Sequence, residues 1–234
     1  MENDELKRLI YMKYISVAVD GPAGAGKSTI TKKVAAQLNY NYVDTGALYR
    51  TLTLNFLNND LRELNEEKII NLLAKTDLKV HYVDGKQIVY LNGEDVAEKI
   101  RTAEVSKFTS LFATSQAVRD FLIDTQRNLT LTNNIIMDGR DIASVVLPNA
   151  DVKIFLTASV EERAKRRYLE FDKQGLNISL EKVMEDIKNR DYQDENRKIA
   201  PLIRVADAVL IDSTEMTIDE VVETIKDLVR SIEK

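Results

Sequence analysis

A glycine-rich segment near the N-terminal end of the chain has the residue types and spacing of a phosphate-binding loop. It fits the pattern G-x-x-x-x-G-K-[ST], with Lys27 and Ser28 at its end. Glycines let successive backbone N–H groups turn toward phosphate oxygens, and the start of a following helix adds donors and a partial positive charge. In this pattern the lysine reaches the outer phosphates and the serine hydroxyl ligates magnesium. The spacing predicts a nucleoside triphosphate site at Gly21, Pro22, Ala23, Gly24, Ala25, Gly26, Lys27, Ser28 and Thr29.

A phosphate loop alone does not distinguish a kinase from a switch GTPase, a motor or an ATPase subunit. The guanine-reading motif N-K-x-D is absent, since no asparagine of the chain precedes a lysine. A D-x-x-G match occurs at 172–175, but it follows a helical pattern instead of a strand. The switch GTPase is therefore disfavoured, and the other classes stay open on these residues alone.

Two further segments carry groups suited to a second, anionic substrate. Asp44-Thr-Gly opens a helix, and Arg50 lies one turn further along it, where its guanidinium could bind a phosphate; a capped helix with a surface arginine is an equal alternative. Asp138-Gly-Arg-Asp141 ends a strand, and ligands collect at the carboxyl ends of strands in open α/β sheets. We favour a functional triplet at 139–141 over an Asp–Arg pair that only fixes a loop.

Two basic clusters follow in the C-terminal third of the chain. Arg163, Arg166 and Arg167 have the spacing of one helical face, where like charges repel unless an anion binds between them. A solvated face balanced by neighbouring glutamates remains the alternative. The second cluster has the spacing of one helical stripe and consists of Arg190, Asp194 and Arg197. The number of arginines expected near one predicted phosphate site favours a functional role for these clusters.

Composition excludes several classes of function. The 234 residues include 38 acids and 33 bases, a net charge of −5, which disfavours binding to nucleic acid through non-specific charge. No cysteine is present, so disulfides, thiolate nucleophiles and cysteine-ligated zinc are excluded. The single histidine cannot build a multi-histidine metal site. No run of 18 apolar residues exists and no signal peptide is recognisable at the start, so we expect a cytoplasmic globular protein without membrane spans.

Short apolar runs alternate with helical patterns along most of the chain. Strands are predicted at 14–20, 135–138, 152–156 and 208–212, and helices at 27–38, at 160–173 and from 217 onward. This alternation predicts a doubly wound, mostly parallel sheet. One segment departs from it, because two strand-like runs at 78–91 are joined by Asp84-Gly85, a dipeptide typical of a tight hairpin. Helical patterns flank this hairpin at about 66–75, 103–112 and 117–131, so residues 61–131 are predicted to form an inserted lobe.

Taken together, these segments resemble the bacterial cytidylate kinases, a family of nucleoside monophosphate kinases. The resemblance covers nearly everything after residue 13, in the expected order. The combination of DTGALYR, DGRD and the hairpin is more specific than the phosphate loop. The matching stretches are DGPAGAGKST (20–29), YVDTGALYR (42–50), GEDVAEKIRTAEV (93–105), MDGRDIASVVLPNADVKIFLTAS (137–159), ERAKRR (162–167), RDYQDENRKIAPL (190–202) and ADAVLIDST (206–214).

The resemblance implies a fold like that of adenylate kinase: an α/β core with a five-stranded parallel sheet flanked by helices, an inserted monophosphate-binding lobe and a short lid. The implied boundaries are a core at 13–60 and 132–234, a lid at about 163–190, a lobe at 61–131 and a tail at 1–12, to which we assign no role. A monomer without nucleic-acid or membrane partners is expected.

The reaction implied by the resemblance is ATP + (d)CMP → ADP + (d)CDP, in pyrimidine nucleotide metabolism, with Mg²⁺ bound through ATP and Ser28. Catalytic groups would be Lys27, Arg163, Arg166 and Arg167, the arginines facing the transferred phosphoryl. The acceptor phosphate would be held by Arg50, Arg140 and Arg197, with Thr45 nearby. The cytosine edge would be read by Ser110, Arg119 and Asp141, and the ribose held by Arg190 and Asp194.

Two alternatives to this reading remain. One is another small kinase with a phosphate loop, acting on adenylate, thymidylate or a non-nucleotide acceptor such as shikimate; the hairpin lobe and DGRD disfavour it. The other is a regulator that binds a nucleotide and hydrolyses it slowly or not at all. Such a regulator would have no coherent set of arginines for a second substrate.

Overall fold

The structure is a computed structural model that describes residues 14–83, 85–173 and 175–233. Its central element is a parallel sheet of five strands in the order β2-β6-β1-β7-β8. The apolar, β-branched runs found in the sequence form its three middle strands, which are buried because helices cover both faces of the sheet. The five strands are β1 (Ser16–Asp20), β2 (Asn41–Asp44), β6 (Ile135–Gly139), β7 (Val152–Thr157) and β8 (Val209–Asp212).

Helices pack on the two faces of this sheet and connect its strands. On one face, α1 (Lys27–Leu38) and α8 (Ile218–Ile232) bury Val34 and Ile225 against β1 and β7. The other face is covered largely by a short π-helical turn, Ile142–Val146, that follows β6. Successive side chains of β1 alternate between the two faces. Val17 and Val19 pack on the face covered by α1 and α8, and Ala18 packs on the face covered by the π-helical turn. The result is the layered arrangement expected for a doubly wound sheet.

The middle of the chain forms a separate cluster of elements with its own apolar core. This core packs around α2 (Thr45–Asn58), which buries Leu48, Leu52 and Phe56 completely. A three-stranded antiparallel sheet in the order β3-β4-β5 lies beside it. The remaining elements are α3 (Glu66–Leu73), β3 (Leu78–Val83), β4 (Lys86–Leu91), β5 (Glu94–Asp95), a 3₁₀ turn (Lys99–Arg101), α4 (Ala103–Phe112) and α5 (Gln116–Leu129).

Two long helices stand between β7 and β8. They are α6 (Val160–Lys173) and α7 (Leu180–Asn196), and they bury Ala164, Val183 and Ile187 against each other. Ser179 caps the start of α7 by accepting a hydrogen bond from the backbone N–H of Lys182. These helices carry both basic clusters found in the sequence except Arg197, which follows the end of α7.

The predicted fold class is confirmed: the core is a parallel five-stranded sheet flanked by helices. The hairpin is present as β3 and β4, with Val83 paired to Lys86, although Asp84 lies outside the described residues. Strand β2 was missing from the strands predicted by periodicity. Arg197 does not continue the helical stripe of Arg190, because α7 ends at Asn196. The predicted tail at 1–12 lies outside the described residues, and the boundaries of core, lobe and lid stay predictions.

Candidate functional site

The phosphate loop connects the carboxyl end of β1 to the start of α1, as the motif requires. Gly21 has a φ of 150°, and a Cβ there would lie 1.9 Å from the carbonyl oxygen of Leu156 on β7. Gly26 precedes α1 with a φ of 83° and no side chain caps the first turn, so the backbone N–H groups there are open to a ligand. The loop therefore offers the geometry of an anion site at a helix N-terminus.

Lys27 is buried in the loop that it belongs to. Its Nζ donates hydrogen bonds to the carbonyl oxygens of Gly21 at 2.6 Å and Pro22 at 2.7 Å. Burial, and after it the cation of Arg140, lower the pKa of Lys27 below its ordinary value. A polyphosphate beside it would oppose both effects, because an anion favours the charged amine.

Ser28 is hydrogen-bonded to a buried carboxylate at the end of β6. Its Oγ donates to Oδ2 of Asp138 at 2.7 Å, while the hydroxyl of Tyr42 donates to Oδ1 at 2.8 Å. Burial and the neighbouring Asp44 raise the pKa of Asp138. Asp138 was not among the predicted site residues, although it is the first residue of DGRD. A carboxylate beside the loop serine is the arrangement that holds magnesium in phosphate-loop enzymes.

The residues beside the loop fit a magnesium ion bound together with phosphates. Among the described residues no three of His, Cys, Asp or Glu form a cluster that could cage a metal by themselves. Mg²⁺ needs no such cage, because it usually keeps several waters and takes one or two protein ligands plus phosphate oxygens. Ser28 and Asp138 together supply ligands of that kind.

A cleft of about 1000 Å³ opens directly over the phosphate loop. Five of the described arginines line it, and three of these come from three different elements: Arg50 on α2, Arg140 after β6 and Arg190 on α7. Arg50 pairs with Asp44 at 3.2 Å, and Arg140 Nε pairs with Asp194 at 2.7 Å. Residues from the predicted site that line the cleft are Ala23, Gly24, Ala25, Gly26, Lys27, Ser28, Thr29, Arg50, Ser110, Arg140, Arg166, Arg167 and Arg190.

Arg119 and Asp141, predicted to read the same base, form a buried ion pair with each other. Arg119 Nη2 donates to Oδ2 of Asp141, and Arg197 Nη2 lies 3.4 Å from Oδ1 of the same carboxylate. The Arg119 side chain is only 2% exposed and its guanidinium lies 6.0 Å from the ring centre of Tyr49. Ser110 is exposed on α4 and faces the cleft. The structure thus brings Arg119, Asp141 and Arg197 into contact, and none of the three is among the residues that line the cleft.

Thr45 and Asp20 tie neighbouring segments of the site together. The Thr45 hydroxyl donates to the backbone carbonyl of Asp138 at 2.7 Å, which fixes the start of α2 against the end of β6. Asp20, the last residue of β1, accepts from the backbone N–H groups of Ile142 and Ala143 at 2.8 and 2.7 Å. Burial is the main cause that raises the pKa of Asp20 to about 6. Asp20 precedes the loop directly, but its partners lie 122 and 123 residues away, so spacing gave no signal for them.

The three arginines of α6 have different surroundings. Arg166 and Arg167 line the cleft, where Arg166 donates to the carbonyl oxygen of Ser213 at 2.7 Å and Arg167 pairs with Glu170 at 2.8 Å. Arg163 is buried instead, and it is bonded to the backbone of the phosphate loop. Its predicted contact with the transferred phosphoryl stays a prediction that this conformation does not test.

Comparison with known proteins identifies the family to which this arrangement belongs. The family model described as "Cytidylate kinase" matches residues 17–231. The chain belongs to the cytidylate kinase family. A cytidylate kinase of Caldicellulosiruptor bescii is 47% identical over 223 residues, which cover 95% of this chain and 99% of that protein. A cytidylate kinase of Leuconostoc mesenteroides is 49% identical over 220 residues, covering 94% and 98% of the two chains.

One solved structure supports the fold. An uncharacterized protein from Eubacterium ventriosum is 12% identical and has a TM-score of 0.53, with 93% of this chain and 99% of that chain covered. At that identity the likeness shows the fold alone. The predicted family, enzyme class and activity are confirmed by the relatives: the chain is a nucleoside monophosphate kinase that phosphorylates CMP or dCMP with ATP. Within the described residues, no helix is both long and apolar enough to span a membrane.

Proposed function

We propose that the cleft over the phosphate loop binds Mg-ATP and CMP or dCMP together and transfers the γ-phosphoryl group between them. The observation that carries this proposal is that one cleft joins the phosphate loop to Arg50, Arg140 and Arg190. A single anion does not require so many cations, whereas two facing phosphates do. The proposal includes a cytoplasmic location, a monomeric enzyme and no nucleic-acid partner, which stay predictions.

On the donor side, the backbone of residues 21–29 would bind the phosphates of ATP. Lys27 would exchange its bonds to the loop carbonyls for the β- and γ-phosphates. Ser28, with Asp138 beside it, would hold Mg²⁺ either directly or through water. The metal supplies charge neutralisation at the phosphate oxygens. Arg166 and Arg167 face the cleft and would neutralise charge on the phosphoryl group during transfer, in the segment proposed as the lid.

On the acceptor side, we assign roles according to the groups that each part of CMP offers. The phosphate would be held by Arg50, Arg140 and Arg197, with Thr45 nearby, and the ribose by Arg190 and Asp194. Ser110, Arg119 and Asp141 would read the base. Asp141 would accept from the cytosine amino group while Arg119 donates to the ring nitrogen. Uracil reverses both hydrogen-bonding groups, so it would meet unpaired partners, and such a site can discriminate by as much as ~10⁴-fold.

The transfer needs no general base from the protein. The acceptor oxygen belongs to a phosphomonoester whose second pKa is about 6, so it is largely ionised at neutral pH. Catalysis then depends on aligning two anions and neutralising the charge between them. Lys27, the magnesium ion and the arginines of the cleft suffice for that. Closure of the proposed lobe and lid over both substrates would exclude water, the competing acceptor.

An ADP-release assay with Mg-ATP and a panel of acceptors tests this proposal. The panel contains CMP, dCMP, UMP, AMP, GMP, dTMP and shikimate. We expect fast turnover confined largely to CMP and dCMP. A preference for another acceptor would overturn the roles given to Ser110, Arg119 and Asp141. Slow ADP release that is indifferent to every acceptor would instead support a nucleotide-binding regulator.

A further inference from the structure

Arg163 is a buried cation that joins the phosphate loop to two other segments. Its Nη1 donates to the carbonyl oxygen of Ala23 in the loop at 2.9 Å, and its Nε donates to the carbonyl oxygen of Ala158 at 2.9 Å. Its Nη2 pairs with Oδ2 of Asp191 on α7 at 2.7 Å. A guanidinium does not lose its proton in proteins, so this charge must be balanced where it lies. Asp191 is the one carboxylate paired with it in the part of the chain that the structure describes.

One of the two carboxylate oxygens of Asp191 has no hydrogen bond at this position among the described residues. Its Oδ1 is buried and has no hydrogen-bond partner within the described ranges. A buried acceptor without a partner destabilises a protein, so such atoms are rare and call for an explanation. The ion pair with Arg163 is the interaction that accounts for a carboxylate at this place.

The phosphate loop rests directly on this pair of helices. A Cβ at Gly24 would lie 3.2 Å from Cβ of Arg163 and 3.6 Å from Cδ1 of Ile187, so the loop backbone lies close against Arg163 of α6 and the Ile187 side chain of α7. The Ala23 carbonyl precedes this contact. Because peptide units are planar, the orientation of that carbonyl also fixes the orientation of the next N–H group, at Gly24.

We propose that Asp191 is a positioning residue for the ATP site. Asp191 orients Arg163, and Arg163 holds the Ala23 carbonyl so that the N–H groups of the loop point at the phosphates. This inference rests on the proposed function, since it takes the loop to be the ATP site. It extends that function because α7, already proposed to hold the ribose of the acceptor, would also position the phosphate loop.

Helix α7 then contacts both halves of the proposed site. Arg190 and Asp194, proposed to hold the ribose, lie beside Asp191 in sequence, and Asp194 is paired with Arg140 at 2.7 Å. Asp191 faces Arg163 instead. Asp191 lies in sequence between two residues proposed to bind the acceptor, which would suggest that its loss weakens CMP binding. Its ion pair with Arg163 predicts instead that its loss weakens ATP binding. This difference makes the proposal testable.

Separate binding titrations of Mg-ATP and of CMP measure the two effects. For Asp191→Ala we expect the dissociation constant of Mg-ATP to rise about tenfold, as the loss of a charged hydrogen bond implies. The dissociation constant of CMP should change by less than about twofold. Asp191→Asn keeps an acceptor for Arg163, so its effect on ATP should be smaller, and it serves as the test if the alanine variant does not fold. Glu195→Ala removes an exposed carboxylate from the same helix and is the matched control.

A double-mutant cycle with Arg163→Lys tests whether Asp191 acts through Arg163. We expect the double variant to bind Mg-ATP no more weakly than whichever single variant binds it less tightly. Both substitutions disrupt the same series of contacts, from Asp191 through Arg163 to the Ala23 carbonyl, so their effects should not add. Rate measurements at saturating substrates should show the same pattern. A misplaced phosphate-binding group can lower kcat by as much as ~10²-fold.

Three results would overturn the inference. Weaker CMP binding with unchanged ATP binding would make Asp191 an acceptor contact, and additive effects in the cycle would separate it from Arg163. A lower melting temperature with both affinities unchanged would leave only a structural role. The Mg-ATP titration is made without an acceptor. If CMP is not phosphorylated in the assay panel, the acceptor assignment is refuted, but the Mg-ATP titration still tests the role of Asp191.

Discussion

At the scale of single residues, the predicted base-reading pair has a property that sequence spacing did not suggest. Asp141 is 8% exposed and already has a cation at each oxygen, Arg119 at one and Arg197 at the other. Cytosine would therefore approach a carboxylate that has a cationic partner at each oxygen before the base binds. Its amino group adds one donor to a carboxylate that is fixed in place, so base selection would follow from geometry more than from net charge.

Replacing Asp141 by Asn should separate acceptor recognition from ATP binding. The amide keeps the shape of the side chain but leaves Arg119 and Arg197 without their common anion, so we expect kcat/KM for CMP to fall by about 100-fold or more. ATP affinity should change by less than about twofold, because Asp141 does not touch the phosphate loop. Steady-state kinetics with CMP and a titration with ATP check both. Asp120→Asn, on the exposed face of α5, controls for the substitution, and unchanged CMP kinetics would refute the assignment.

The sequence predicted which residue types would gather but not which pairs they would form. Lys27 and Ser28 were predictable because their motif is local and fixes its own geometry. The contacts of Asp138 and Asp191, on which their proposed roles rest, were not predicted because their partners, Ser28 and Arg163, lie 110 and 28 positions away along the chain. Only the sheet order and the packing of α6 against α7 bring these atoms together.

At the scale of elements, the prediction succeeded where local signals fix the ends. Helix α1 has the predicted bounds, since the loop fixes its start and Asn39, with a φ of 57°, ends it. Strand β2 was missed because its four residues, Asn41–Asp44, show no alternation and stand directly before a helix. Its pairing with β6 at the edge of the sheet, a non-local contact, makes it a strand. The π-helical turn after Asp141 had no sequence signal of its own.

The close approach of the phosphate loop to β7 depends on a glycine. In Gly21→Ala the new Cβ would meet the Leu156 carbonyl oxygen at 1.9 Å, so either β1 or β7 must move. We expect a loss of roughly 3 kcal/mol or more in the free energy of unfolding, from overpacking together with backbone strain. Gly93→Ala is the matched control, because its φ of 86° is also left-handed but no atom lies within 4 Å of the new Cβ. It should lose only about 1 kcal/mol. Urea denaturation measures both, and equal losses would contradict the steric argument.

At the scale of the whole molecule, one buried carboxylate connects the strand before the phosphate loop to the turn that follows Asp141. Asp20 ends the strand that leads into the phosphate loop and caps the turn that directly follows Asp141. Both carboxylate oxygens accept a backbone N–H group. Burial nevertheless opposes the charge, and the nearby Asp141 adds to that effect, so the pKa is raised to about 6. The stability of the protein should therefore depend on the protonation of this single group at mildly acidic pH, below about 6.

The sign of this dependence follows from linkage. The pKa of Asp20 is about 6 in the folded protein, above its ordinary value of 3.8, so the folded state binds the proton more tightly than the unfolded state. The stabilisation is complete below about pH 4 and is lost as the pH rises through 6, a change of up to roughly 3 kcal/mol. The free energy of unfolding of the wild type minus that of Asp20→Asn should thus be larger at pH 4.5 than at pH 8. Asp120→Asn, which changes an exposed carboxylate, is the control. A flat difference would contradict the prediction, and carboxyl NMR of the wild type would decide the pKa directly if the variant does not fold.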